Sequence, residues 1–541
     1  VTALPANFNP ANLKVVTAAQ MTALEQESER QGTSTDTLME KAGLAVAEYA
    51  RQRLGSVAGL RAVILVGPGN NGADGLVVAR HLQRWGAEVT ACLLTSRPDV
   101  DAKLEMAREY GVSILKLSES PDLDSLNQLL GRSQLVIDAI LGTGRSRPLQ
   151  GVVREALLRT AAVRVQGQAP LLLALDLPTG LDADKGSVDD ATPIMDATLA
   201  LGFPKAGLLA FPGAERVGEL VTLDIGMPDG MGQDGVSLEL LTPDWVGSKL
   251  PPRSLDSHKG TYGHLLVVAG SRNYVGAACL VARAAHRSGV GLVTLATPES
   301  VYPIVASQLT ETVHLPLPED GEGRVHPDAA QVIGEVLTRY DAVAVGSGLG
   351  QSENVSNFVE SLLLAGHSPG LPVLVDADGL NSLSQLREWW RRQSGPMVLT
   401  PHPGEMATLT GLSTAEVQRD RVAVAREWAA RWQTVTVLKG AFTAVAEPVS
   451  APADGDERDG MVRLSPFANP GLASGGTGDV LTGVIGSLMA QGMDPFDAAS
   501  CGVYLHGRAA EMITKRQGPT GLLASEVAEA LPLAFKELRA A

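Results

Sequence analysis

The sequence predicts an α/β protein of two domains, each built around buried parallel strands. Three observations lead there. Short apolar runs rich in Val, Leu and Ala alternate with amphipathic stretches along the whole chain, and runs that are apolar on both faces suit parallel strands covered by helices on either side. The 541 residues exceed what one hydrophobic core usually serves, about 250–300 residues. Glycine is abundant (58 residues) and aromatic residues are scarce (4%), a composition for sheets of small branched side chains joined by tight backbone turns.

The elements follow in order. The opening VTALPANFNPAN has two prolines and no periodicity and reads as an extended arm. TAAQMTALEQESERQG reads as a helix from about Thr17 that stops at glycine. Strands are expected at RAVILVG (61–67), EVTACLL (88–94), QLVIDAIL (134–141), APLLLALDLP (169–178) and DATLALGFP (196–204). They form a doubly wound sheet that finishes near VGELVTLDIGMP (217–228). The polar, glycine-rich DGMGQDG (229–235) then separates a domain at 1–230 from one at 231–541. The second domain repeats the logic at HLLVVAGS (264–271), GLVTLATP (291–298), DAVAVGSGLG (341–350), LPVLVDADG (371–379), PMVLTPHPGE (396–405) and TVTVLKG (434–440). Ser413 and Glu416 make a capping-box pattern ahead of VQRDRVAVAREWAARW, expected as one long amphipathic helix. EPVSAPADGDERDG (447–460) reads as a solvated loop.

The charge balance of 44 basic and 60 acidic residues, net −16, opposes binding to nucleic acid. Cys92, Cys279 and Cys501 are far apart inside apolar runs, with no metal-ligand spacing, and read as core thiols. No apolar run approaches a membrane span. The expected protein is soluble and cytoplasmic, and a homo-oligomer.

Candidate chemistry gathers at strand ends, where ligands bind in such sheets. In the first half, VGPGNNGADG (66–75) sets Gly67, Gly69, Gly72 and Gly75 after a strand, where they free the backbone to turn sharply. The helix LVVARHLQRW that follows aims its amides back at that turn. Asn70 and Asn71 add side-chain oxygens. IDAILGTGRSRP places Asp138 on a strand ahead of Gly142 and Gly144, and ALDLPTGLDADKG places Asp176 and Thr179 at the next strand end. Each acid alone is readable as a loop carboxylate; three such strand ends on one sheet edge point to a site.

This set, NNGADG with DAILGTG and LDLPTGLDADKG, resembles the NAD(P)H-hydrate epimerase family, over most of 15–230. The resemblance implies a Rossmann-like fold and a nucleotide-hydrate site at Asn70, Asn71, Gly72, Ala73, Asp74, Gly142, Thr143, Gly144, Arg145, Ser146, Arg147 and Pro148. It implies a potassium ion held by Asn71, Asp138 and Thr179, with Asp176 touching substrate. Ala73 and Thr179 replace the family's commoner glycine and serine; threonine keeps the hydroxyl. Asp176 is the expected acid/base group for epimerisation.

In the second half, ANPGLASGGTGDVLTGVIGSL (468–488) places Gly475, Gly476, Thr477 and Gly478 before Asp479 and an apolar helix. Glycine amides and a helix N-terminus make a phosphate cradle. The acid beside it can activate an alcohol for phosphoryl transfer. An aspartate cap behind a flexible loop is the plainer alternative. GGTGD resembles the ribokinase-like superfamily. With SHKGTYGHLLVVAGSRNYVGAACLVARAAHRSGVGLVTLATP, VGSGLG, LVDADGLN, LTPHPGEMATLTG and VLKGAFTAV it resembles the NAD(P)H-hydrate dehydratase family, over about 245–535. The resemblance implies contacts to the hydrated nucleotide from Ala277, Gly350, His402 and Asp479. It implies that Lys439, Gly440, Ala441, Phe442, Thr443 and Gly478 hold ADP, or ATP, as co-substrate. It also implies a magnesium ion, for which Glu405, Asp376 and Asp378 are open choices. His402, between two prolines, is also readable as a turn cap.

The implied activity is repair of the hydrates of NADH and NADPH (NADHX and NADPHX): epimerisation in the first domain, then nucleotide-dependent dehydration of the S form in the second. A vitamin kinase and a non-catalytic binding module for the first domain remain as alternatives.

Overall fold

The computed structural model describes residues 13–98, 100–118, 122–144, 148–164, 169–228, 230–232, 235–364, 370–449 and 460–540. The expected arm at 1–12, Arg145, Ser146 and Arg147, and residues 450–459 of the expected loop lie outside them. The described chain divides into two compact units, Leu13–Val236 and Ser237–Ala541.

The first unit opens with helices α1 (Ala18–Arg30), α2 (Thr35–Leu54) and α3 (Asn70–Arg84). Thr17 caps α1 through a capping box with Gln20, so the helix starts where the sequence indicated. The seven strands of its sheet are β1 (Arg61–Val66), β2 (Glu88–Leu93), β3 (Ser113–Lys116), β4 (Leu135–Ala139), β5 (Leu171–Leu175), β6 (Ala197–Leu201) and β7 (Glu219–Leu223), with further helices at Ala102–Glu109, Leu123–Arg132 and Gly151–Val163. They pair in the order β3-β2-β1-β4-β5-β6-β7, all parallel. The order reverses between β1 and β4, and the crevice beyond their C-terminal ends is where a doubly wound sheet binds its ligand.

The second unit has ten strands: β8 (Leu238–Leu240), β9 (His264–Val268), β10 (Leu292–Pro298), β11 (Val313–Leu317), β12 (Ala342–Val345), β13 (Val373–Val375), β14 (Met397–Leu399), β15 (Val435–Leu438), β16 (Ala444–Ala446) and β17 (Val462–Leu464). Their order is β8-β17-β16-β15-β14-β13-β12-β9-β10-β11. From β11 to β15 every pair is parallel, but β16 runs antiparallel to both β15 and β17. The six strands expected in this half are all parallel to their neighbours among them; the antiparallel β16 is a strand the sequence reading does not include. A tight loop after β15 leaves no room for the crossover a parallel neighbour needs.

The helices used below are α4 (Val275–Arg287), α5 (Pro403–Thr410), α6 (Thr414–Arg419), α7 (Arg421–Trp432), α8 (Thr477–Ala490), α9 (Pro495–Gln517) and α10 (Ala524–Ala540). The single helix expected after Ser413 is two. Asp420 leaves helical geometry (φ −147°) and its side chain caps α7 at Ala423 N–H. Helix α8 is buried almost all round, against α4, α9 and α10. The three cysteines are buried free thiols. No described helix is long and apolar enough to cross a membrane.

Candidate active sites

In the first unit the glycine segment departs from its reading as a turn. Helix α3 begins at Asn70, six residues before the expected LVVARHLQRW, so Asn70 to Asp74 form its first turns. None of Gly67, Gly69, Gly72 and Gly75 adopts a positive φ. Three of them are small because of close approach: a Cβ at Gly67 would lie 1.8 Å from Ile140 O, one at Gly72 2.2 Å from Gly67 O, and one at Gly75 2.5 Å from Ala139 Cβ. The helix thus packs directly onto the ends of β1 and β4, with its N-terminal amides at the crevice.

A cavity of about 790 Å³ opens there. Asn70, Asn71, Asp74, Gly142, Thr143, Gly144 and Asp176 line it, as do Glu25 and Lys205, which the sequence did not single out. Gly72, Ala73 and Pro148 do not line it.

Beside the cavity Asp138 and Thr179 form one buried cluster. Asp138 Oδ1 accepts Thr179 Oγ1–H at 2.7 Å, and Oδ2 accepts Thr179 N–H at 2.8 Å. Thr179 Oγ1 in turn accepts Leu141 N–H at 3.0 Å. Burial pushes the Asp138 carboxyl up to about 6. Asn71 closes the group: its amide nitrogen is buried without a partner, and a Cβ on Gly142 would lie 3.6 Å from its Oδ1. The Asp138 carboxylate, the Thr179 hydroxyl and the Asn71 Oδ1 are oxygen donors of the kind a hard cation takes; the unpartnered Asn71 Nδ2 is a hydrogen-bond donor and plays no part in that set.

Asp176 has a left-handed backbone (φ 67°), an unfavourable conformation for a non-glycine residue of the kind concentrated at functional sites. Its Oδ1 accepts Leu201 N–H at 3.1 Å and a hydrogen bond from the fully buried Lys205. Asp74 has a buried carboxyl oxygen with no partner. Burial, then the charges of Asp176 and Glu25, hold its carboxyl well above the usual range.

In the second unit the glycine run precedes α8 as expected. Gly476 caps the helix at φ 89°, where a Cβ would also lie 2.6 Å from Leu280 Cδ1. Gly478 faces Lys439, whose Nζ would be 3.4 Å from an added Cβ. Thr477 Oγ1 donates to Leu472 O and Ser474 O, both at 2.9 Å, and ties the loop down. Asp479 is the third residue of α8. Burial, with the Asp376 charge next, pushes its carboxyl up to about 6, close to where a general base works at neutral pH.

Asp376 is the electrostatic anchor. It accepts Thr400 Oγ1–H at 2.7 Å and Lys439 at 2.8 Å on Oδ1, and Thr482 Oγ1–H at 2.9 Å on Oδ2. Despite burial, the Lys439 charge and these bonds hold its carboxyl below the usual range. Lys439 also lies 3.7 Å from Glu405 Oε2, and its own ammonium is held above its usual range by the two carboxylates. Asp378 also has both oxygens engaged, Oδ2 by Gly350 N–H at 2.9 Å and Oδ1 by Asn381 Nδ2 at 3.4 Å, and Glu405 Oε2 accepts His402 N–H at 2.8 Å, so hydrogen bonding singles out none of the three acids as a cation ligand.

His402 caps α5, its Nδ1 accepting Gly404 N–H at 3.0 Å and Glu405 N–H at 3.2 Å; Nε2 lies 3.5 Å from Glu405 Oε1. Gly440 to Thr443 form the hairpin loop between β15 and β16. Thr443 Oγ1 donates to Gly440 O at 2.8 Å, Phe442 has φ 50°, and half-buried Arg421 donates to Ala441 O and Leu438 O. Gly350, at φ 78°, gives its N–H to Asp378 Oδ2 at 2.9 Å. A Cβ on Gly348 would meet that of Ala277 at 2.8 Å, so Ala277 borders the same loop.

The first unit is a doubly wound sheet with an oxygen-lined cavity at its switch point. The second has a glycine cradle, a lysine and a carboxylate at a helix start. Together they define a two-domain enzyme that handles nucleotides. Residues 35–207 match the family model for the YjeF-related protein N-terminus, and residues 265–533 match that for NAD(P)H-hydrate dehydratase. The chain is 39% identical to the bifunctional NAD(P)H-hydrate repair enzyme of Moorella thermoacetica over 534 residues, 97% of both chains. It is 37% identical to that of Thermofilum pendens over 533 residues, again 97% of both. The ADP/ATP-dependent NAD(P)H-hydrate dehydratase from Bacillus subtilis, co-crystallised with ATP and Mg²⁺, is 37% identical over 55% of this chain and 97% of that one, with a TM-score of 0.47. The chain belongs to the family of bifunctional NAD(P)H-hydrate repair enzymes.

Proposed function

We propose that residues 1–230 interconvert the R and S epimers of hydrated NADH and NADPH, and that residues 231–541 dehydrate the S epimer at the expense of ADP, giving AMP and phosphate, with ATP as an alternative donor. The observation that carries the reading is the Asp376–Lys439–Asp479 arrangement at the start of α8. It sets a cation and helix amides for phosphate beside a carboxylate poised for an alcohol.

In the dehydratase half Asp479 takes the proton of the ring hydroxyl as that oxygen attacks the terminal phosphoryl group. Lys439 and the amides from Gly476 to Gly478 balance the charge that develops on the phosphate oxygens. The loop from Gly440 to Thr443 seats the nucleotide, and Ala277, Gly350 and His402 seat the hydrated ring. Phosphorylation turns a poor leaving group into a good one, and elimination restores the dinucleotide. Glu405, Asp376 and Asp378 are the acids that would hold a magnesium ion, which would supply charge neutralisation at the phosphates.

In the epimerase half Asn70, Asn71, Asp74 and Gly142 to Gly144 hold the nucleotide hydrate, and Asp176 is the acid/base group for epimerisation. Asn71, Asp138 and Thr179 hold a potassium ion, which supplies fixed positive charge beside the site. A homo-oligomer is supported by exposed Tyr302 and Ile304 of the helix Tyr302–Ala306 together with exposed Val313 of edge strand β11.

A single-epimer experiment tests the division of labour. With pure R hydrate and ADP, the Asp176→Asn variant should release NADPH no faster than spontaneous epimerisation allows, and with pure S hydrate it should match the parent. Equal loss on both epimers would refute the assignment of the two halves.

A further inference from the structure

The cavity of the first unit collects four ionisable side chains from four separate segments: Glu25 of α1, Asp74 of α3, Asp176 after β5 and Lys205 after β6. Lys205 is fully buried yet lines the cavity. Two of its three N–H groups are used, one on Asp176 Oδ1 and one on Leu201 O at 3.1 Å. Both hydrogen bonds to the Asp176 carboxylate fall on Oδ1, which leaves Oδ2 for a ligand. Among the described residues no hydrogen bond reaches the Glu25 carboxyl; burial and charge alone act on it.

A buried lysine needs a partner, and Asp176 is sufficient for that. Neutralising Asp176 does not require the ammonium to sit on a cavity wall with one N–H unused. Nor does it require the Glu25 carboxyl, without a hydrogen-bond partner among the described residues, in a cavity that already holds Asp74.

We propose that Lys205 and Glu25 complete the proton-handling set of the epimerase cavity. Asp176 Oδ2 accepts the proton of the ring hydroxyl, Lys205 holds the oxygen, and Glu25 delivers a proton to the adjacent ring nitrogen. The inference rests on the epimerase reading above and adds the two residues that reading lacks. As the hydroxyl proton leaves, the O–H electron pair becomes the second bond of a carbonyl. The C–N bond breaks with its pair going to nitrogen, which takes the Glu25 proton. The ring is then open and the reacting carbon is an aldehyde. Rotation about its remaining C–C bond presents the other face. In reversal, nitrogen attacks that face and returns its proton to Glu25, while Asp176 gives its proton to the oxygen. Atoms and electrons balance, and no oxidant or second substrate is needed.

The electrostatics agree with these roles. Burial raises Glu25, the Asp176 charge adds to the rise and Lys205 opposes it, so the carboxyl stays protonated to higher pH than usual. Asp74 of α3 faces the same group, with Lys103 acting on Asp74 from further away.

The test follows interconversion of a single purified NADPH-hydrate epimer in the full chain with no ADP or ATP present, across pH. Glu25→Gln should fold normally, lose about 100-fold in rate and lose the alkaline limb of its pH profile, in the range expected for a general acid. Lys205→Met should lose at least as much, and its profile should move to higher pH because a positive charge facing the carboxylates has gone. Lys205→Arg should restore part of the rate and the parental profile. A Glu25→Gln rate within about threefold of the parent, far short of a general acid's worth, would overturn the inference. So would a Lys205→Met loss with an unmoved profile, which a purely structural lysine would give. A parent chain unable to interconvert epimers would instead fail the epimerase reading, and this inference with it.

Discussion

Replacing Asp479 by asparagine should stabilise the second unit at neutral pH while disabling its chemistry. The carboxyl is pushed from 3.8 to about 6, first by burial and then by the charge of Asp376. A displacement of that size corresponds to about 3 kcal/mol against the ionised form. Part of the side chain is open to the cleft and is screened by solvent, so about 1–2 kcal/mol is the expected effect. The sign follows from proton binding. Between pH 3.8 and about 6 the folded chain holds more protons at Asp479 than the unfolded chain does. Stability from this group is therefore full below pH 3.8 and lost as pH rises through 6. The Asp479→Asn variant has no such loss, so its gain over the parent should be largest above about pH 7 and vanish near about pH 4. Five of the six tryptophans (Trp245, Trp389, Trp390, Trp428 and Trp432) lie in the second unit, so tryptophan fluorescence during urea unfolding reports on it. Dehydration should fall by about 10²–10⁴-fold in the same variant, the usual worth of a positioned general base. A variant less stable than the parent at pH 8, or a gain that does not change with pH, would refute the reasoning.

Three further outcomes follow from the same geometry. Lys439→Met leaves Asp376 buried with only Thr400 and Thr482 as partners, and should cost the second unit about 3–5 kcal/mol. The parent's Asp376 contributes stability above the unfolded carboxylate range that is lost in acid; in Lys439→Met, urea midpoints should instead improve as pH falls from 8 to 5. Gly476→Ala forces φ 89° on a residue with a Cβ that would lie 2.6 Å from Leu280 Cδ1, so calorimetric ADP affinity should fall by about five- to thirtyfold, from a conformational cost of roughly 1–2 kcal/mol. Parental epimerisation should slow when choline replaces potassium, and the potassium effect should fade as acid protonates Asp138; Asp138→Asn should be slow in both salts.

Much of this was legible in the chain. All twelve strands expected from apolar runs exist, because each is largely buried and bounded by turn residues. The strands that escaped notice are short or half-exposed: Ser113–Lys116 and Val313–Leu317 at sheet edges, and the three-residue Leu238–Leu240, Ala444–Ala446 and Val462–Leu464. The glycine motifs marked both sites, but for a reason partly different from backbone freedom. Gly67, Gly72 and Gly75 are small so that a helix can touch strand ends, and sequence alone does not separate that need from a turn.

Lys205 and Glu25 were invisible as site residues because no motif surrounds them. Lys205 lies 29 positions after Asp176 and Glu25 lies on an ordinary capped helix; only the fold brings them to one cavity. One trace was present: the lysine in ATLALGFPKAGLLA interrupts an otherwise apolar stretch, and a charge there must find a partner. The Lys439–Asp376 pair is similar, joining segments 63 positions apart.

The account's central claim is that one chain returns both epimers to usable cofactor. The direct measurement is to incubate the protein with an equilibrated mixture of NADPH-hydrate epimers and excess ADP, following reduced-nicotinamide absorbance together with phosphorus NMR. The account predicts complete recovery of the mixture on the dehydration timescale, with one phosphate and one AMP released per NADPH and no stable phosphorylated product. Accumulation of a phosphorylated nucleotide hydrate, or recovery that halts when the S form is spent, would contradict it.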